Sequence, residues 1–304
     1  MGEKPMALHS CSLDREQMQK LENSCESSGW ESYSVAFADF AYRGPKVNVV
    51  AYRSGKVVVQ GKGTEEFVKY VLEPEIIGEC HVGYEELQHP DWFQEHGGMD
   101  ESGKGDLFGP LVSACVIAGG EIVKKWRVAG VRDCKSVGQD GKIFELDRLI
   151  RTSEGAVVEV FSLSMKKYNE LYGGFGENLN RLLAWYHSKS LANALQRKKV
   201  SRALLDQFSR QPLVQSYFPG NEVTIEMRPR AEEDIVVAAA SIVARAEFLR
   251  AMERLSTAAG EKLLRGAGAA VQEQARSIVR RLGAGCFGEF AKLHFSTAQR
   301  ALFS

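Results

Sequence analysis

The sequence has no excess of charge of either sign. Its 304 residues carry 39 Lys+Arg and 39 Asp+Glu, a formal net charge of zero. Such a chain has no global field to steer it onto polyphosphate, which taken alone counts against a nucleic-acid partner. Cysteine motifs are also missing. Cys11, Cys25, Cys80, Cys115, Cys134 and Cys286 never fall in a C-x-x-C spacing, which argues against zinc and dithiol redox sites. Six cysteines in so long a chain are too sparse for a disulfide framework and read as the reduced thiols of a cytosolic protein. The opening MGEKPMALHS lacks the apolar run of a signal peptide, and no stretch approaches the roughly 20 apolar residues of a membrane span. There is no internal repeat and no low-complexity tract. What is present, 44% hydrophobic and 26% charged residues, is the composition of a folded globular protein of one large or two ordinary domains.

The N-terminal pattern predicts a helix, three antiparallel strands and a second helix. Ser12 is placed to cap the first helix, whose apolar face is Leu13, Leu21 and Cys25. Strands follow at Tyr33–Arg43, Lys46–Arg53 and Lys56–Gln60, with Gly44-Pro45 and Ser54-Gly55 as turns. Thr64 opens a helix that should stop near Leu72, ahead of Pro74. Residues 76–96 lack periodicity and are read as a linker. Beyond it, strands at Leu111–Ala118, Val157–Ser164, Arg202–Phe208 and Val223–Pro229 alternate with helices at Phe144–Ile150, Asn178–Leu195 and Ile235–Leu255, the signature of an α/β domain.

Charge is segregated along the chain. From Tyr42 to Thr64 stand Arg43, Lys46, Arg53, Lys56 and Lys62 with no acidic residue. From Glu65 to Glu95 there are nine acidic residues and one basic. This is either a solvated sheet face with a solvated linker, or a small sheet whose basic hairpins contact phosphates.

Three acidic spots fall where acids are costly. Asp100-Glu101 ends a strand before a glycine-rich turn, Asp206 ends the apolar run RALLD, and Glu232, Glu233 and Asp234 precede an apolar helix. Each alone reads equally well as a solvated turn or a favourable helix start. Gathered together they would repel one another unless a divalent cation lay between them, and hard oxygen donors favour Mg²⁺ or Mn²⁺.

At Gly98–Pro110 the run GMDESGKGDLFGP resembles the first motif of the type 2 ribonucleases H, in the variant of ribonuclease HIII. Further segments match in the same order: VRDCKS (Val131–Ser136), YNEL (Tyr168–Leu171), NLNRLLAWYH (Asn178–His187), LLDQF (Leu204–Phe208), VAAASIVAR (Val237–Arg245), RGAG (Arg265–Gly268) and AKLHF (Ala291–Phe295). Tyr52–Phe67 resembles that family's N-terminal domain. The resemblance covers nearly the whole chain. It implies a ribonuclease H-like mixed sheet flanked by helices at residues 96–304, preceded at 1–88 by a small α+β domain of TATA-binding-protein-like fold.

The function implied is an endonuclease that cuts the RNA strand of RNA/DNA hybrids. Asp100, Glu101, Asp206 and Glu232 become the catalytic acids holding two Mg²⁺ or Mn²⁺ ions. The stretch from Glu232 to Ala-Ala-Ala-Ser is one residue shorter than the family pattern, which keeps Glu233 and Asp234 in play. Hydrolysis by two metals would leave 5′-phosphate and 3′-hydroxyl ends. Gly103, Lys104 and Gly105 match the loop that contacts ribose 2′-OH groups, the feature separating RNA from DNA. A phosphate-binding P-loop is the weaker reading there, because its G-x-x-x-x-G-K-[ST] spacing is absent. Lys135 and Ser136 are expected in the same groove, and His187 in a structural place. Arg43, Lys46, Arg53, Lys56 and Lys62 are expected to bind the duplex. A monomeric cytoplasmic enzyme without membrane contact completes the expectation. The alternatives are an HII-like activity on single embedded ribonucleotides and a non-catalytic hybrid-binding module.

Overall fold

Alternate residues of Val47–Tyr52 and Lys56–Gln60 are apolar enough to make a sheet with one covered face. The computed structural model describes residues 8–78, 90–132, 140–220 and 223–303, and the chain divides into two compact units, Met1–Pro90 and Asp91–Ser304. In the first unit β1 (Leu8–Ser12), β2 (Glu31–Ser32), β3 (Ala38–Gly44), β4 (Val47–Tyr52) and β5 (Lys56–Gln60) form an antiparallel sheet of order β1-β5-β4-β3-β2. Val49, Ala51, Val57 and Val59 turn to one side. There they pack on Leu21 and Cys25 of α1 (Arg15–Ser27) and on Val68, Leu72 and Ile76.

The unit departs from its sequence pattern in four places, the first being that the strand expected from Tyr33 begins only at Ala38, after a turn with Phe37 at φ 64°. Two short edge strands, β1 and β2, raise the sheet from three strands to five. Neither has a buried residue, so neither needs the apolar alternation that marks a covered strand. Ser12 ends β1 opposite Lys56 instead of capping α1. Asp14 takes the cap, accepting from the Gln17 amide at 2.8 Å while the Gln17 side chain accepts from the Asp14 amide at 3.1 Å. Helix α2 (Thr64–Phe67) continues as a π-helix, Val68–Ile77, straight through Pro74 to a left-handed Gly78. The wider π turn draws the proline ring away from the carbonyl it would strike in an α-helix.

The second unit is built on a mixed sheet of order β10-β9-β6-β7-β8: β6 (His96–Ser102), β7 (Val112–Ala118), β8 (Val157–Ser162), β9 (Arg202–Asp206) and β10 (Thr224–Arg228). The strands β6, β9 and β10 run parallel, and β7 and β8 antiparallel to their neighbours. In chain order the main helices are α3 (Gly120–Val128), α4 (Asp140–Thr152), α5 (Met165–Gly174), α6 (Leu179–Arg197), α7 (Ile235–Ala259), α8 (Ala269–Leu282) and α9 (Ser296–Leu302). Helix α6 covers Met99, Cys115 and Ile117 through Leu191 and Ala194, while α7 covers Ala114 and Val116 on the other face. Every residue from Ile235 to Ala244 is buried, which explains why this helix is apolar all round. It lies so close to β6 that a Cβ on Gly98 would collide with the Val236–Val237 peptide. No helix among the described residues is long and apolar enough to cross a membrane.

Lys292 is the core's anomaly. It is fully buried, and its Nζ donates to the carbonyls of Asp106, at 2.8 Å, and Gly109. Burial pushes its pKa down to about 7, against a smaller upward pull from Asp106. The unfolded chain, with its lysine near 10.5, therefore holds a proton that the native state releases between those values. Stability from this site rises with pH across that window and is flat below it. The melting-temperature lead of wild type over Lys292→Met should accordingly widen between pH 7 and pH 9; a constant difference would contradict a lysine buried neutral.

Candidate active site

Parallel strands expose their carboxyl ends together, and the crevice beyond them is where α/β sheets bind ligands. Met99 pairs with Leu205, and Arg228 with Asp206, so the ends of β6, β9 and β10 lie level. Asp100 and Glu101 come from the end of β6 and Asp206 from the end of β9. All three line one cleft of about 640 Å³. Its other walls are Gly103, Lys104, Gly105, Phe208, Ser241 and Arg245, with Asp140 and Arg265 paired at 2.9 Å. Asp100 and Glu101 reach it from opposite faces of β6. Gly98, two residues before Asp100, meets α7; Glu101 meets His187 of α6.

The two neighbouring carboxylates are held differently. Asp100 Oδ1 accepts from the Glu101 amide at 2.8 Å. Glu101 Oε2 meets His187 Nε2 at 3.1 Å, and Oε1 meets Lys104 Nζ at 3.4 Å. Burial acts to raise the Glu101 pKa, but the hydrogen bond and charge of His187, followed by Lys104, outweigh it and hold the group below the usual carboxylate range. His187 is itself buried, its Nδ1 3.0 Å from Ser113 Oγ, which also meets Ser190 Oγ at 2.9 Å. Phe208 stacks on the His187 ring at 5.8 Å, and Lys104 Nζ lies 5.8 Å from the Phe208 centroid.

The three acids before α7 separate cleanly. Asp234 is fully buried and caps α7, accepting from the Val236 and Val237 amides, with His96 Nε2 at 3.1 Å. Glu233 is exposed and pairs with Arg230 at 3.7 Å. Glu232 sits in a 3₁₀ turn, Ala231–Glu233, packed on β9 through Ala231 and Leu204. Its Oε2 is buried with no hydrogen-bond partner, as is Asp234 Oδ2, an arrangement that is costly unless another group arrives. Among the described residues no group of three or more His, Cys, Asp or Glu is gathered closely enough to hold a metal ion. Hard carboxylate donors on the adjacent ends of β6 and β9 nonetheless fit a divalent cation, while Glu232 is not among the residues lining that cleft.

The remaining sequence candidates are dispersed. Arg43 and Lys56 are exposed on the open face of the first unit's sheet, and Arg43 lies 5.2 Å from the Tyr33 ring centroid. Lys46, in a turn at φ 65°, accepts from the Gly63 amide and so shares one end of the sheet with Lys62. Arg53 is at the other end, 3.8 Å from Asp39. The strand between the two ends spans roughly 20 Å. Lys135 and Ser136 lie outside the described residues. Arg245, Arg265 and Phe208 line the cleft without having been singled out. Arg245 follows Ser241 by four residues on α7, and only the tertiary placement of that helix distinguishes it from an ordinary surface arginine.

A model described as ribonuclease HII matches residues 97–298, and one described as a domain of unknown function matches 11–77. Ribonuclease HIII of Chlamydia pneumoniae is 41% identical over 265 residues, covering 85% of this chain and 86% of the relative. The crystal structure of Bst-RNase HIII in complex with Mn²⁺ is similar with a TM-score of 0.66 and 30% identity, covering 98% of each chain. The chain belongs to the ribonuclease HII family, on its ribonuclease HIII branch. Members of that branch are metal-dependent endoribonucleases that cut RNA/DNA hybrids, and this chain is an enzyme of that kind. Its mixed sheet with flanking helices is the ribonuclease H-like fold of the solved ribonuclease HIII structures.

Within the ribonuclease HIII motif GKG the two glycines answer to different constraints. Gly103 has φ 87°, and a Cβ there would strike the Pro110 carbonyl and the Phe248 ring. At Gly105 a Cβ would meet nothing within 4 Å. The fold requires the first glycine and is indifferent to the second. Gly103→Ala should therefore cost more than about 1 kcal/mol, while Gly105→Ala stays within about 0.5 kcal/mol of wild type in urea unfolding. Equal losses at both positions would refute the distinction.

Proposed function

We propose that this enzyme hydrolyses the RNA strand of RNA/DNA hybrids with two divalent cations, Mg²⁺ or Mn²⁺, held by Asp100, Glu101, Asp206 and Glu232. The observation that carries the reading is the convergence of Asp100, Glu101 and Asp206 on one cleft whose facing wall is the glycine loop. Bound there, the pair of ions would supply charge stabilisation for the attacking and leaving oxygens of an in-line displacement. Products carry 5′-phosphate and 3′-hydroxyl ends. Glu232 is preferred as fourth acid because Asp234 Oδ1 is committed to the Val236 and Val237 amides and to His96, although each of the two acids keeps one buried oxygen without a hydrogen-bond partner.

The chain's own groups do the remaining work. His187, backed by Ser113, orients Glu101 and keeps it charged in a half-buried site. Lys104 and Arg245 line the cleft as cations, which suits them to phosphate oxygens. Gly105 lets main chain approach the ribose, and Lys135 and Ser136, outside the described residues, are assigned to substrate binding by the sequence resemblance alone. In the first unit, Arg43, Lys46, Arg53, Lys56 and Lys62 bind the hybrid backbone. Their two groups, at opposite ends of the sheet, suit contacts to separate phosphates. The enzyme acts as a cytoplasmic monomer.

Asp100→Asn should abolish cleavage of a labelled hybrid while leaving its binding measurable; turnover at the wild-type rate would sink the assignment. Removing residues 1–90 should raise KM more than it lowers kcat, and an unchanged KM would remove the first unit from substrate binding. A duplex with one embedded ribonucleotide tests the HII-like alternative, which efficient incision would favour.

A further inference from the structure

The glycine loop is braced from behind by the C-terminal part of the chain. It turns at Gly103, where the Asp106 amide donates back to the Gly103 carbonyl at 3.3 Å, then runs inward through buried Leu107, Phe108 and Gly109. Leu107 exchanges main-chain bonds with two segments: its amide donates to Gly266, and its carbonyl accepts from Lys292, both at 2.9 Å. The Gly109 amide donates to Phe290 at 3.1 Å. The Gly266 amide donates to Asp106 Oδ1 at 2.6 Å. The carbonyls of Asp106 and Gly109 converge on a single atom, Lys292 Nζ.

We propose that Lys292 is a positioning residue for recognition of the RNA strand: by holding the Asp106 and Gly109 carbonyls it sets the loop shape that presents Gly105 to the substrate. The inference rests on the reading of Gly105 as a ribose contact. Two observations support it. Lys292 is fully buried, its Nζ is bonded to two main-chain carbonyls, and the Asp106 carboxylate acts on it only through a charge effect weaker than burial. A lysine buried without a direct ion pair is costly, and two main-chain carbonyls are what it serves. Compact, rotatable N–H donors suit two carbonyls meeting at one point, where a planar guanidinium fork does not. The second observation is adjacency. Asp106 follows Gly105 directly and is pinned at both its carbonyl and its carboxylate, while the Gly105 α-carbon faces open space. Loss of the Lys292 nitrogen leaves two inward carbonyls unmatched, and the loop must rotate them away, carrying Gly105 with it.

The test compares binding of the full-length chain to a fluorescent RNA/DNA hybrid and to a DNA duplex of the same sequence, without divalent cation so that nothing is cut. Lys292→Met should lower the hybrid-to-DNA affinity ratio at least about fivefold, with DNA-duplex affinity within about twofold of wild type. Lys292→Gln, which retains an N–H donor on a shorter arm, should fall between them, and it carries the test if the methionine variant does not fold. Gly105→Ala is the control for the underlying reading. A reduced ratio in Gly105→Ala with an unchanged ratio in both Lys292 variants overturns the role of Lys292 alone. An unchanged ratio in Gly105→Ala removes the loop reading and this inference with it. Equal loss of hybrid and DNA binding in the Lys292 variants would mark a general structural role and overturn the proposal.

Discussion

Gly98 has no side chain, and the first turn of α7 occupies the space where one would stand. Two residues earlier on the same strand, His96 reaches Asp234, the cap of that helix. These two contacts lock the start of α7 to β6. Asp100 and Glu101 follow on β6, and the 3₁₀ turn that carries Glu232 leads into the cap, so both acidic segments flank the same junction. Parallel pairing of β9 with β6 adds Asp206 beside them. A helix seated an ångström further out would carry Ser241 and Arg245 away from the cleft as well.

The cleft is electrically mixed, and that follows from what it must hold. Carboxylates suit divalent cations, whereas phosphates suit Lys104, Arg245 and Arg265. Asp100 and Glu101, adjacent in sequence, escape mutual repulsion by facing different elements. Glu101 is tied to α6 through His187, and the aromatic face of Phe208 packs over that histidine. The glycine loop is built with the same division of labour: its inward side is bound by Lys292, Gly266 and Phe290, and its outward side is left bare at Gly105.

Much of this was legible before any coordinates. Long periodic or strongly alternating segments such as Ile235–Leu255 and Leu111–Ala118 announce their structure because burial forces their composition. Asp100, Glu101 and Asp206 stood out as acids at strand ends, and the family resemblance, not their spacing, gave them a role; the structure puts all three in one cleft. Edge strands Leu8–Ser12 and Glu31–Ser32 were not legible, because a strand with no covered face needs no apolar pattern. The cap at Asp14 was missed in favour of Ser12, since both residue types cap helices and only strand pairing with Lys56 removes Ser12 from the role. His187 was read as structural on its apolar helix; it is fully buried as that reading implies, but its ring is hydrogen-bonded to Glu101.

The sequence by itself determined the two-part organisation of the chain's pattern, the periodicities of its main elements and the order of the motifs, because these are local consequences of residue type. Zero net charge proved uninformative about the partner, since the sum conceals local segregation such as the basic stretch Arg43–Lys62. Only the tertiary structure distinguishes the surroundings of Glu232, Glu233 and Asp234: Asp234 Oδ1 caps α7, solvent and Arg230 hold Glu233, and Glu232 and Asp234 each keep a buried oxygen without a partner. It alone joined Lys292 to a loop 186 residues earlier in the chain. Such pairings depend on which surfaces meet after folding, and no spacing along the chain encodes them.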